Sequence, residues 1–211
     1  MAAVGLLYVG AVLFVNGLML LGRISGRGAA PLNLFVGVLQ VLTPTYLIIY
    51  AAGNPALIAL AAGLYFFGFT YLWVGINSIT GWPNEGLGWF SLVVTVSAAG
   101  FAVHSWREVG DYAFTVLWIM WGILWFFFFL LMAGGRTALA PATGLLAIGS
   151  AVLTTGVPGF LLLAGWWRDS AALALTLALA GVLLVILSLV GGRVLNGPLP
   201  RHQAHQTAPA S

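Results

Sequence analysis

Long apolar stretches alternate along the chain with short breaks carrying glycine, asparagine or charge, and every charged residue falls in a break or near an end. A helix needs about 20 apolar residues to cross the hydrocarbon of a bilayer. Seven stretches meet that length, at residues 4–22, 31–52, 55–79, 87–105, 113–133, 139–165 and 171–191. Their connections are short, with only Gly53 and Asn54 between the second and third, so neighbouring helices run antiparallel in one bundle. The pattern predicts an all-α polytopic membrane protein with a single transmembrane domain over residues 1–191. After Gly192 the chain turns to Pro198, Pro200, His202, Gln203 and His205, a polar stretch with no apolar face, which predicts a disordered tail over residues 192–211.

Composition agrees with that solvent. Hydrophobic residues make up 62% of the chain and charged residues 5%, where a soluble domain needs roughly a quarter charged. There is no lysine, and a net charge of +3 spread over loops and termini builds no basic face for nucleic acid. The absence of cysteine removes disulfides, thiolate metal sites and thiol nucleophiles, and carries no information on redox compartment. No charge precedes Arg23, so the N-terminal stretch lacks the basic region of a signal peptide and reads as the first span. With the N-terminus outside, Arg23, Arg27, Arg136, Arg193 and Arg201 lie in the cytoplasm and only Arg107 and Arg168 lie outside. The C-terminus is then cytoplasmic and the expected location is the inner (plasma) membrane.

Polar groups inside spans are costly unless paired, so each is a packing device or part of a path. Here they are uncharged, among them Asn16, Asn33, Gln40, Asn77, Ser150, Thr154 and Thr155. Read singly, each fits bonding to a neighbouring helix, and a subset fits a pore that exchanges hydrogen bonds with an uncharged solute. In the fifth span Trp118, Trp121 and Trp125 follow i, i+3, i+7 spacing, which puts three indoles on one helix face. That ladder fits core packing and pore lining equally, whereas Trp82, Trp89, Trp106, Trp166 and Trp167 lie near predicted span ends and read as interfacial. No histidine–carboxylate metal cluster, phosphate loop or nucleophile–base set is present, so no cofactor, metal or catalytic group is expected. His104, with Arg107, Glu108 and Asp111 just behind it, reads as an interfacial residue. The similar strings Val9-Gly10 to Asn16-Gly17 and Val74-Gly75-Ile76-Asn77 are a weak trace of an internal repeat.

Several strings carry a resemblance. Leu7-Tyr8-Val9-Gly10 with Asn16-Gly17, Asn33-Leu34-Phe35-Val36-Gly37 and Phe67-Gly68-Phe69-Thr70-Tyr71-Leu72 are followed in order by Trp89-Phe90-Ser91-Leu92, Gly110-Asp111 and Trp118-Ile119-Met120-Trp121-Gly122-Ile123-Leu124-Trp125. Over spans one to six they resemble the AmiS/UreI family of amide transporters and urea channels. The resemblance implies a six-helix channel core, a homohexamer, and a separate solute path through each protomer. Carried over by position, it implies a pore lined by Leu6, Leu13, Phe67, Tyr71, Trp118, Trp121, Leu124 and Trp125. Asn16, Asn33, Asn77 and Ser150 stand as polar candidates for pore or packing.

The departures matter as well. The acid-gated urea channel of that family carries an acidic residue eight positions before the proline of span six, where this chain has Ser150 before Pro158. The connection between spans two and three is cut to two residues, and a seventh span follows the usual six. With Asp169 expected to stay ionised beside Arg168, only His104, Glu108 and Asp111 remain as outer groups able to answer pH. The expected activity is a passive channel for urea or short amides such as acetamide and formamide, without strong acid gating. The rivals are a proton-coupled carrier, an intramembrane enzyme and a structural or sensory protein; the spans lack ionisable relays for the first and a base or metal for the second.

Overall fold

A computed structural model describes residues 2–196. Within them seven helical spans are long and apolar enough to cross a membrane. Span one is α1 (Ala2–Leu20), span two α2 (Gly26–Tyr50) and span three α3 (Pro55–Thr80). Span four is α4 (Glu85–His104) continued by a π-helical turn, Ser105–Val109, and span five is α5 (Tyr112–Met132). Span six is broken into α6 (Ala140–Ser150), a π-helical turn (Ala151–Gly156) and α7 (Val157–Leu163), and span seven is α8 (Ala171–Asn196).

Local chemistry accounts for the ends. Asn54 accepts the amides of Ala56 at 3.0 Å and Leu57 at 3.3 Å, and Pro55 begins α3 where its missing N–H costs nothing, so the chain reverses over the four residues between Tyr50 and Pro55 rather than the expected two. Gly81, at φ 73°, closes α3 in the left-handed conformation, with its amide on the Asn77 carbonyl. Span two starts five residues before the expected Pro31, because the Ser25 hydroxyl accepts the Gly28 amide and nucleates the helix there.

The last helix is also longer than its apolar stretch predicts. It runs to Asn196, so residues 192–196, expected in a disordered tail, are helical: Gly192 lies against Ala142, and the Asn196 side chain donates to the Ala138 carbonyl at 2.6 Å. The remainder of that expected tail, residues 197–211, lies outside the described residues.

Three pairings build the bundle: α2 on α3, α4 on α5, and α1 on span six, with α8 laid over α5 and α6. Antiparallel succession sorts the loops into two groups. Arg23, Arg27, Arg136 and Arg193 share one end with Glu85, while Arg107, Arg168, Glu108, Asp111 and Asp169 share the other. These are the Arg136 end and the Asp111 end below.

Candidate functional site

A cavity of about 600 Å³ opens at the Arg136 end, between Gly26, Asn84, Glu85 and Thr137. Its deep end is formed by Leu13, Phe67 and Trp121, which lie near the midpoints of α1, α3 and α5. Six of the eight expected pore residues line it: Leu13, Phe67, Tyr71, Trp121, Leu124 and Trp125. The other two, Leu6 and Trp118, are buried beyond its floor, in the half of the bundle that leads to the Asp111 end.

That half is closed by aromatic packing. Trp118 stacks on Phe101 with ring centroids 4.7 Å apart, and the edge of Trp121 meets it at 5.0 Å. The Trp118 ring passes so close to α3 that a Cβ on Gly63 would lie 2.9 Å from it. Phe67 adds edge-to-face contacts to Trp121 at 5.1 Å and Trp125 at 4.8 Å, the geometry in which ring edge and ring face attract.

The amide candidates divide. Asn16 and Asn33 form a reciprocal pair, Nδ2 to Oδ1 at 2.9 and 2.7 Å, and Asn33 also donates to the Ala29 carbonyl. This clamps α1 to α2, and of the two only Asn16 reaches the cavity. Asn77 lines the cavity near its mouth and donates to the Pro83 carbonyl and to Asn84 Oδ1. Ser150 is fully buried off the cavity, its hydroxyl without a partner among the described residues.

The ladder resolves residue by residue. A buried indole needs an acceptor for its N–H. For Trp121 that acceptor is Thr154 of span six, at 3.0 Å, and not a solute. Thr154 belongs to the polar positions visible in the spans, yet its pairing with a tryptophan 33 residues away has no local signal. Phe101, Asn84 and Glu85 also enter the site unforeseen, because a loop residue or a ring on a neighbouring helix shares no periodicity with the ladder. Trp82, Trp89, Trp106 and Trp166 are exposed, as interfacial residues are. Trp167 is instead half-buried with its ring 5.8 Å from Phe114, and its Nε1 finds no partner among the described residues.

At the opposite end two carboxylates converge on the start of α5. Asp111 accepts the Phe114 amide at 2.8 Å, and Asp169, from the loop before α8, accepts the Ala113 amide at 2.9 Å and reaches that of Tyr112 at 3.4 Å. The neighbouring Arg168 guanidinium turns to the backbone, donating to the carbonyls of Gly165 and Trp167. Partial burial and the neighbouring Asp169 carboxylate push the Asp111 carboxyl above the ordinary carboxylate range, against the opposing pull of the Phe114 amide. His104 ends α4, just before the π-helical turn.

The chain has relatives in sequence and in structure. The model of the AmiS/UreI family of transporters matches residues 1–166. A putative amidate substrates transporter protein of Mycolicibacterium smegmatis is 52% identical over 198 residues, covering 94% of this chain and 93% of the relative. The putative transporter protein AmiS2 of Rhodococcus erythropolis is 48% identical over the same length, with 94% of each chain covered. Alignments that long extend well past residue 166 and take in most of span seven. The acid-activated urea channel of Helicobacter pylori is 30% identical, covering 77% of this chain and 97% of its own. The structure of that urea channel in a closed state superposes with a TM-score of 0.72 at 30% identity, over 80% of this chain and all of the other. The helical spans and their order thus recur together with the family's sequence, and the chain belongs to the AmiS/UreI family of membrane transporters.

Proposed function

We propose that this protein is a passive channel for urea or short aliphatic amides, with one path through each protomer of a homohexamer. The observation that carries the reading is the cavity itself: it runs from a mouth of amide and hydroxyl groups to a floor of indole, phenyl and leucine side chains, and among the described residues Glu85 at its mouth is the one charged side chain that lines it. Flat neutral solutes exchange hydrogen bonds at such a mouth, whereas an ion cannot trade its hydration shell for leucine and indole. The pore-lining assignment of Leu6, Leu13, Phe67, Tyr71, Trp118, Trp121, Leu124 and Trp125 belongs to this proposal, as does the course of the path past Trp118 and Leu6 to the Asp111 end. The names of the relatives support amides and urea as the solute class.

The Arg136 end is assigned to the cytoplasm on its excess of arginine. A reporter fused after Ser211 is then cytoplasmic and a tag before Met1 external. Both ends on one side would refute that topology. Gating by external acid is not expected to be strong: Ser150 offers no titrating group in span six, and flux between pH 5 and 7.5 should vary less than about twofold.

Stopped-flow light scattering of proteoliposomes under urea, acetamide, formamide and glycerol gradients tests the reading, and a flat response to all four sinks it. A second reading, an active amide carrier, is favoured by one observation, that the cavity opens at the Arg136 end while aromatic rings pack together in the opposite half. It requires flux that depends on an imposed proton gradient, which a passive pore does not show.

A further inference from the structure

Span six widens at its centre. In the turn Ala151–Gly156 the Val157 amide donates to the Val152 carbonyl, five residues back, and Pro158 supplies no N–H for the usual bond to Thr154. The turn seats against span one only because residue 10 is glycine: a Cβ there would lie 2.8 Å from the Gly156 Cα and 3.0 Å from the Ala151 carbonyl. Such π-helical turns are rare and recur at functional sites.

Two hydroxyls on this turn fold back on the backbone, Thr154 donating to the Ser150 carbonyl at 2.7 Å and Thr155 to the Ala151 carbonyl at 2.8 Å. With its proton committed, the Thr154 oxygen is left as an acceptor, and it takes the Trp121 N–H at 3.0 Å. The relay therefore has one direction, from indole N–H to threonine O–H to the Ser150 carbonyl. Trp121 is also the ring that Phe67 and Trp118 hold by edge-to-face contacts, and it forms part of the cavity floor. Edge contacts between rings tolerate tilting. A hydrogen bond from one fixed nitrogen does not.

We infer that Thr154 is a positioning residue for solute size selection: by accepting the Trp121 N–H from the π-helical turn of span six, it holds the indole across the floor of the cavity and sets the narrowest aperture there. The inference rests on the proposed reading of this cavity as the solute path. Neither Thr154 nor the turn lines the cavity, so the action runs through Trp121 alone.

The test compares acetamide and butyramide flux in proteoliposomes of the parent, Thr154→Val, Thr154→Ser, Trp121→Phe and the Thr154→Val/Trp121→Phe double variant. Thr154→Val keeps the shape and removes the acceptor, so the acetamide-to-butyramide ratio should fall by about fivefold, the factor that one lost buried hydrogen bond of this kind supports. Thr154→Ser should retain the parent ratio. In the Trp121→Phe background, where no N–H remains to hold, Thr154→Val should change nothing further. Should Thr154→Val fail to assemble, Thr154→Cys, a weak acceptor, is expected to move the ratio the same way by less. A parent ratio in a folded Thr154→Val protein, or a shift that persists undiminished in the Trp121→Phe background, overturns the inference and leaves the channel reading standing. A parent protein that passes neither solute overturns the channel reading, and the inference with it.

Discussion

In the half of the bundle facing the Arg136 end, asparagine, serine and threonine side chains border open space, whereas in the half facing the Asp111 end indole and phenyl rings pack until that space is gone. Both halves use side chains from the same helices. The difference lies in what each type can do in a medium without water. An amide must spend its donors and acceptors, and here most are spent within the protein, Asn16 on Asn33 and Asn77 on Asn84. Rings have nothing to satisfy except the indole N–H, so they can pack until no space is left between them. On the proposed channel reading, the half facing the Arg136 end shapes an entrance and the ring-filled half selects the solute.

The sharpest way to break this comparison is to truncate a ring. Trp121→Ala should raise butyramide flux relative to acetamide by about tenfold or more, in line with what a well-fitted apolar pocket can discriminate. Asn77→Ala at the mouth should alter that ratio hardly at all; equal effects of the two substitutions on selectivity would erase the division of labour.

Stability sharpens it next. Asn16→Leu leaves the Asn33 amide half-paired in an apolar interface and should cost about 1–2 kcal/mol. Adding Asn33→Leu should recover most of that, since two apolar side chains leave nothing unpaired. Chemical denaturation of the purified protein measures both, and a double variant no better than the single one would show that shape, not pairing, holds α1 to α2. Trp167→Ala, which removes a half-buried ring from against Phe114, should lower the melting temperature by about 2–4 °C with solute selectivity unchanged.

The smallest effect belongs to the Asp111 end. A carboxyl whose pKa is raised by folding favours the folded state in its protonated form, so its stabilising contribution is complete below the unfolded value of about 3.9 and is lost as pH rises through the folded value. Melting temperature should thus gain a little as pH falls towards that range, and Asp111→Asn should flatten the gain. A gain of equal size in the variant would assign it to other groups.

The spans and the ladder were legible because each is written along a single helix: apolar length marks a crossing, and i, i+3, i+7 marks a face. Tyr71, Phe67 and Leu13 came from the family resemblance, and the cavity gathers them with Trp121 and Trp125. What the chain alone did not disclose is relational. Asn77 meets Asn84 across the turn at Gly81, and Trp121 meets Thr154 across two helices, so neither pairing has a period to read. The reach of α8 to Asn196 was missed for a similar reason, since Asn196 and Gly192 are held by contacts to Ala138 and Ala142 on another span.

Asp169 gives span seven a consequence for protein engineering. Because this carboxylate accepts the first amides of α5, cutting the chain after residue 166 would not yield a minimal six-helix transporter. It would strip acceptors from the helix that carries the ladder and uncover Met120 and Ala142, on which Gly181 and Gly192 rest. A working six-span derivative would need a replacement acceptor designed for the Ala113 amide and a new lipid-facing surface for spans five and six, so the extra helix has become a structural dependency of the core it covers.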